Sequence, residues 1–212
     1  MLWVLFCQRQ HLLIRMRIAK ICRLNIFHTL IVLTFLGLLM SSNGRGDETL
    51  TLFLGRSNKK DLLELIRFKW GRFEPYSVIG VAYRRSLFQS GRYYQFEWGG
   101  NLVKHLEKWS LLEGDALVVF RWKWAPWNEF VKTSLGVGEG LSLVTGYPSS
   151  ESVSQPIRSH FLNYLWVDVR FELPDVPAWA VDSIIHHRSG IYGLFGVSGG
   201  SNYLCLGITR KL

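Results

Sequence analysis

Residues 160–173 of the chain read HFLNYLWVDVRFEL and show the pattern from which we infer the fold. Apolar side chains recur in it with a two-residue period: Phe161, Leu165, Val167, Val169, Phe171 and Leu173. Bulky polar and charged side chains stand between them: Tyr164, Trp166, Asp168, Arg170 and Glu172. A two-residue period is typical of a β-strand, because successive side chains of a strand point to opposite faces. The stretch therefore predicts a strand with one apolar face and one polar face.

Seven more segments of similar length alternate in the same way, each bounded by Gly, Pro, Ser, Asn or charged residues. In chain order the eight predicted strands span residues 48–56, 76–87, 93–104, 115–124, 133–144, 160–173, 178–187 and 202–212. Beyond residue 44 no apolar run approaches the roughly 18 residues that a transmembrane helix needs. The pattern indicates an all-β protein.

Alternation alone fits two architectures. In a soluble sandwich or barrel the apolar face lies inside, whereas in a small membrane barrel it faces lipid and the charged residues fill the lumen. The connections after the first, third, fifth and seventh strands are long and the others are shorter, which favours an up-and-down barrel with long extracellular loops. Several tryptophans stand near strand ends, as interfacial girdles require: Trp70, Trp109, Trp124, Trp127 and Trp179. We predict an eight-stranded antiparallel transmembrane β-barrel in an outer membrane, with the soluble fold as the alternative.

The first 44 residues differ from the rest. They hold five basic residues and no acidic ones, followed by an apolar run over residues 27–40 and small or polar residues at 41–44. This order predicts a cleavable export signal over 1–44, with Met16 as an alternative start, and a single barrel domain over 45–212. Without the signal the net charge falls from +9 to +4, which removes the argument for nucleic-acid binding. Cys205 is then the only cysteine left, which excludes a disulfide within the chain.

The segment whose residue types best suit catalysis is residues 186–190, His-His-Arg-Ser-Gly, which is followed by a glycine-rich stretch over 193–200. His187 and Ser189 are two positions apart on a strand, so their side chains point the same way and an imidazole could take the hydroxyl proton. Both residues share parity with the apolar residues of the seventh strand, and Asn202 shares parity with the apolar residues of the eighth. We expect all three side chains on the lipid-facing surface at the extracellular rim.

This His-x-Ser element beside the last strand of an eight-stranded barrel resembles the lipid A 3-O-deacylases of Gram-negative outer membranes, which are grouped with acyloxyacyl hydrolases. A looser likeness extends over residues 134–142, 162–165, 186–190 and 199–202. The resemblance implies that Ser189 attacks an ester-linked acyl chain of lipopolysaccharide, that His187 is the general base and that no cofactor takes part. The family places a Glu about a dozen residues later to orient the His, and this chain has Ser201-Asn202 there. Asn202 can hold the ring in one tautomer but supplies no negative charge.

Two other carboxylates are candidates for that missing acid. By strict alternation Glu139 would face lipid, which is costly for a charge, so we expect a β-bulge in the glycine-rich residues 136–140 to reverse its direction. Asp182 is expected in the lumen with Asp168 and Arg170. His105 and His160 lack metal-ligand spacing, so no metal is predicted. Residues 59–67 are expected to form a solvated loop, with a short amphipathic helix as the alternative.

Three functions are compatible with these residues. The first is a hydrolase acting on lipid A or lipopolysaccharide among the outer-membrane lipids, through His187, Ser189 and Asn202. The second is a non-catalytic barrel with a structural or surface-binding role. A pore is the least favoured, because eight strands leave a lumen that side chains fill.

Overall fold

The strand pattern closes into a barrel in the computed structural model, which describes residues 47–107, 111–152, 159–172 and 175–212. The predicted signal segment lies outside these residues. The strands are β1 (Glu48–Asn58), β2 (Phe73–Ser90), β3 (Tyr94–His105), β4 (Leu112–Trp122), β5 (Thr133–Val144), β6 (Phe161–Glu172), β7 (Trp179–Ser189) and β8 (Gly200–Lys211). Two short helices, α1 (Leu62–Ile66) and α2 (Ser149–Ser152), lie in the connections. Each strand pairs antiparallel with the next, and β8 pairs with β1, which confirms the predicted eight-stranded barrel.

The two faces of each strand take the predicted directions. In β6 the apolar set points outward and the polar set points into the lumen, so that Phe171 is 40% exposed whereas Asp168 is 1% exposed. In β3, Phe96 and Leu102 point outward, and Glu97 and Asn101 point inward. Because the apolar residues cover the outside, a soluble sandwich with an apolar interior is excluded, and the exterior is the kind of surface that lipid covers. The barrel therefore has the exterior of a membrane-spanning β-barrel.

Tryptophans mark the ends of the barrel wall. Trp70, Trp124, Trp127 and Trp179 are all exposed, as residues of an interfacial girdle are, and Trp109 lies outside the described residues. Within the described part of the chain, no helix is both long enough and apolar enough to cross a membrane.

The connections divide between the two ends of the barrel. One end, which we call the loop end, carries the described connecting residues 59–72, 106–107, 111, 145–152, 159–160 and 190–199. The opposite end carries the described connecting residues 91–93, 123–132 and 175–178. The alternation of long and short connections is less regular than predicted, because β4 already ends at Trp122 and the connection 123–132 exceeds 106–111. That longer connection is held by side-chain bonds, from Asn128 Nδ2 to the Lys123 carbonyl (2.7 Å) and from Trp127 Nε1 to Thr133 Oγ1 (2.9 Å).

The bulge expected in β5 is wrong. The pairings of β5 with β4 and β6 run without a register shift, so Glu139 keeps its outward direction and is exposed. The glycines around it have a different purpose, because they face the crowded lumen. A Cβ on Gly136 would lie 2.4 Å from Asp168 Oδ1, and one on Gly138 would lie 2.8 Å from Leu117 Cδ1. The glycines therefore make room for lumen side chains and do not break the strand.

Charged pairs fill the half of the lumen away from the loop end, as predicted. Arg121 lies 2.7 Å from both Glu97 Oε1 and Asp168 Oδ2. Arg170 Nε donates to Asp182 Oδ1 over 2.7 Å. All five side chains are buried. The expected lumen position of Asp182 beside Arg170 is thereby confirmed, and these ion pairs fill that half of the lumen.

Candidate active site

The candidate site lies at the loop end of the barrel, where β7 ends and β8 begins. His187 and Ser189 share the outward face of β7, while His186 and Arg188 between them are buried in the lumen. The register sets His187 opposite Asn202 and Ser189 opposite Gly200 of β8. The structure therefore brings His187, Ser189 and Asn202 to one place on the outer wall, in the directions expected from their parity.

Asn202 holds the His187 imidazole by a hydrogen bond of 2.6 Å between Nδ1 and Oδ1. The contact of the Asn202 Nδ2 atom shows which of the two groups is the donor in this bond. Asn202 Nδ2 donates to the Lys60 carbonyl over 2.9 Å, and a carbonyl can only accept. The amide oxygen therefore faces the imidazole, and His187 Nδ1 must be the protonated nitrogen that donates to it. In this neutral tautomer Nε2 carries the lone pair that a general base needs.

Ser189 stands beside this imidazole at the start of the β7–β8 loop. Among the residues that the structure describes, no hydrogen bond joins Ser189 Oγ to His187. Gly200, directly opposite Ser189, has no side chain that could cover the hydroxyl. Two residues after the serine, Ile191 and Tyr192 adopt left-handed backbone conformations with φ of 42° and 50°. Such strain is uncommon for a β-branched residue, and it clusters at functional sites.

A cavity of about 920 Å³ opens at this place. Its lining includes the three expected residues together with Glu139 of β5 and Asn163 of β6. The β7–β8 loop lies against the same wall, where the rings of Phe195 and Phe161 pack with centroids 5.7 Å apart. Sequence reasoning missed Asn163, although a polar residue at an outward position of β6 was a usable signal.

The β1–β2 connection forms the other side of the cavity. The helical alternative for residues 59–67 is confirmed in part, because α1 covers Leu62–Ile66, and Leu62 and Leu63 line the cavity. From the last residue of α1 to the first residue of β2 the chain alternates basic and large apolar residues, all exposed: Ile66, Arg67, Phe68, Lys69, Trp70, Arg72 and Phe73. This loop contacts the site directly through the Lys60 carbonyl, so its position and the orientation of Asn202 are linked.

A second polar cluster lies on the lumen side of the same strands. Glu113 Oε2 is 2.6 Å from His105 Nε2, and Glu113 Oε1 is 2.9 Å from His186 Nε2. Arg188 Nε donates to Ser142 Oγ over 2.8 Å, and its Nη1 pairs with Glu151 of α2. Burial raises the pKa of Glu151, and the adjacent Arg188 guanidinium opposes that rise.

Three side chains of the described residues could hold a metal ion, since Glu113, Asp115 and His186 each place a ligand atom within 4.8 Å of the others. The Glu113 carboxylate already contacts His105, His186 and Ser142. Buried ion pairs and hydrogen bonds therefore account for most of this group.

Comparison with known proteins shows the fold. No protein-family model matches the chain, and no curated protein matches it. The crystal structure of the outer membrane enzyme PagL is similar with a TM-score of 0.52 and 12% identity, over 77% of this chain and 99% of that chain. The crystal structure of Neisserial surface protein A is similar with a TM-score of 0.48 and 11% identity, over 78% of this chain and 97% of that chain. The attachment invasion locus protein Ail of Yersinia pestis has a TM-score of 0.37 and 12% identity, over 80% and 100%. The chain therefore has the fold of an eight-stranded outer-membrane barrel.

Proposed function

We propose that the chain is an outer-membrane esterase that removes an ester-linked acyl chain from lipid A, with Ser189 as nucleophile and His187 as general base. The observation that carries the proposal is the outward-facing pair itself. His187 is locked in the tautomer with a basic Nε2, and Ser189 lies two positions away on the same face. A reactive pair on the lipid-facing wall at the loop end suits a substrate held in the outer leaflet.

The reaction would proceed in two halves. Ser189 Oγ attacks the ester carbonyl carbon while its proton passes to His187 Nε2, and the carbonyl electron pair moves onto oxygen. The tetrahedral intermediate then expels the sugar alkoxide, which takes the proton from His187 and leaves an acyl ester on Ser189. Water attacks this ester with His187 again accepting the proton, and the fatty acid leaves as Ser189 is regenerated.

Asn202 takes the place where the deacylases that the chain resembles have a Glu. It can orient the ring through its Oδ1 atom, but it supplies no charge to stabilise the imidazolium. We therefore expect hydrolysis to be slow compared with enzymes that have a complete triad.

The test uses the full-length barrel, refolded in vesicles that contain lipopolysaccharide, with the mass of lipid A as the readout. We expect the mass of one hydroxyacyl group to be lost with the wild-type protein and retained with Ser189→Ala. Ser183→Ala is the matched control, because Ser183 is an exposed serine on the same outward face of β7, farther from the loop end. Unchanged lipid A with the wild type, or equal loss with Ser189→Ala, would contradict the proposal.

A non-catalytic surface-binding barrel is the second candidate. It is favoured by the amide at position 202 and by the alternating basic and apolar residues 66–73, whose exposed side chains suit contact with a surface partner. Under this alternative, substitutions at residues 66–73 would abolish binding to cells or to lipopolysaccharide, and Ser189→Ala would change nothing.

A further inference from the structure

Glu139 lies in an unfavourable position for a charged side chain, and the proposed mechanism gives it no role. It points outward from the apolar wall of the barrel, between Val137 and Leu141, which are both exposed to the lipid side. A charged side chain on that surface is costly in the membrane-spanning region, and such residues are commonly functional and paired. A specific partner must therefore lower the cost.

That partner is Asn163 of the neighbouring strand. Asn163 pairs with Leu141, so its side chain is the diagonal neighbour of Glu139 on the outer face, and its amide is within reach of the Glu139 carboxylate. Asn163 itself is unusual, because it holds an outward position of β6 and is nevertheless only 7% exposed. Phe195 of the β7–β8 loop packs on Phe161, two residues away on the same face, so the loop reaches over this part of the wall.

The register of β6 and β7 places Asn163 next to the candidate nucleophile. Asn163 of β6 pairs directly with Ser189 of β7, and both point outward. Residues directly opposite each other on antiparallel strands have Cβ atoms about 4.5–5.5 Å apart, so the two side chains are immediate neighbours. Both line the 920 Å³ cavity, together with Glu139 and His187.

We propose that Asn163 is the oxyanion-stabilising residue of this site and that Glu139 is its positioning residue, an assignment that rests on the proposed esterase function. A side-chain amide has two N–H groups. One can donate to Glu139, and the charge of the acceptor makes that bond strong and holds the amide still. The other is free to donate to the carbonyl oxygen of the ester as Ser189 Oγ attacks and the oxygen becomes negative.

The competing explanation is structural, in which Glu139 and Asn163 only satisfy each other. The two explanations predict different kinetic effects when Asn163 is substituted. A donor to the oxyanion acts on the transition state, so its removal lowers kcat and leaves KM nearly unchanged. A purely structural pair would change the stability of the barrel and leave kcat unaffected.

The experiment measures hydrolysis of a medium-chain p-nitrophenyl ester and of lipid A by the refolded full-length barrel, for the wild type, Asn163→Ala, Asn163→Asp and Glu139→Gln. Ser183→Ala is again the control. For both Asn163 variants we expect kcat to fall about 10²- to 10³-fold, the loss typical of one oxyanion donor, with KM within a few-fold of wild type. Glu139→Gln keeps an acceptor for the amide, so its loss should be about tenfold or less.

Folding and transition-state binding are checked alongside. The folded fraction is measured by the shift of the unheated band in SDS gels, and the isosteric Asn163→Asp variant covers the case that the alanine variant misfolds. Inhibition by an alkylboronate, which forms an anionic tetrahedral adduct with serine, should weaken in parallel with kcat. If Ser189→Ala abolishes hydrolysis while both Asn163 variants keep wild-type kcat, the assignment of Asn163 fails and the esterase stands. If the wild type does not hydrolyse ester at all, both fail.

Discussion

His186 and His187 are neighbours in the chain, yet they stand in opposite surroundings. His186 is fully buried in the lumen, where its Nδ1 bonds to Tyr164 Oη over 2.8 Å and its Nε2 lies beside Glu113. His187 lies on the outer wall with one nitrogen held by Asn202 and the other in its basic form. The strand period thus sorts one imidazole into a polar network that stabilises the barrel and leaves its neighbour available for chemistry.

Alanine substitutions at the two histidines should have opposite effects on activity and stability. His187→Ala should lower ester hydrolysis about 10²- to 10⁴-fold, the usual contribution of a general base, and leave the denaturation midpoint nearly unchanged. His186→Ala should do the reverse, because it leaves buried partners unsatisfied. Kinetics and urea unfolding of both variants check this prediction, and a His186→Ala barrel that is stable and inactive would contradict it.

Glu113 is the centre of the lumen cluster, so its removal should give the largest loss of stability. Glu113→Ala leaves His105, His186 and Arg188 buried without their shared anion, and breaking such a buried pair costs about 3–5 kcal/mol. Urea titration of the refolded barrel measures the change in the free energy of unfolding. Glu64→Ala is the matched control, because the pair of Glu64 with Lys60 is partly exposed to solvent and its loss should leave the midpoint nearly unchanged.

Substitutions of Asn202 test how the His187 imidazole is held in the outer-wall site. Asn202→Asp replaces the amide oxygen with a carboxylate that can stabilise a protonated imidazole, and it loses the bond from Nδ2 to the Lys60 carbonyl. We expect about a tenfold rise in kcat, well below the full value of a triad acid because of that loss. Asn202→Leu should lower kcat, since the ring then has no tautomer lock. A drop in kcat with Asn202→Asp would show that the amide is needed for its donor and not only for its acceptor.

The smallest effect concerns Glu107, outside the strands at the loop end. Its partial burial opposes ionisation, but the His105 imidazole at 3.7 Å and the Ser149 amide, which donates over 3.4 Å, outweigh it and lower the pKa of Glu107. An acid whose folded pKa is lowered adds stability above the ordinary Glu value of about 4.3 and loses it as the pH falls through the folded value. Wild type should therefore lose slightly more stability than Glu107→Gln below about pH 4.3, as measured by urea midpoints across that range.

Much of the fold was predictable because a two-residue period is a local property. The eight strands, the outward direction of His187, Ser189 and Asn202, and the lumen position of Asp182 all followed from it. The bulge at Glu139 was a wrong prediction, because glycines in a strand can indicate either a break or crowding on one face, and only the lumen contacts of Gly136 and Gly138 distinguish the two.

The contacts between distant strands were beyond the sequence pattern. The Glu113 cluster joins side chains of β3, β4 and β7, and the meeting of Asn163 with Ser189 depends on the register between β6 and β7. Parity shows which face a residue occupies, whereas register decides which residues on that face are neighbours. A shift of two residues would keep every direction and change every partner.

Because His187 and Ser189 face outward, the concentration of a ligand that matters for this site is its concentration within the membrane. A ligand that reaches the outer wall travels within a leaflet, so its supply is a mole fraction among neighbouring lipids and not an amount per volume of water. Diluting that ligand with inert lipid should slow its encounter with the wall, even when the total amount in the sample is constant. The barrel would then respond to the composition of the membrane around it, because other lipids would dilute the ligand without occupying the site.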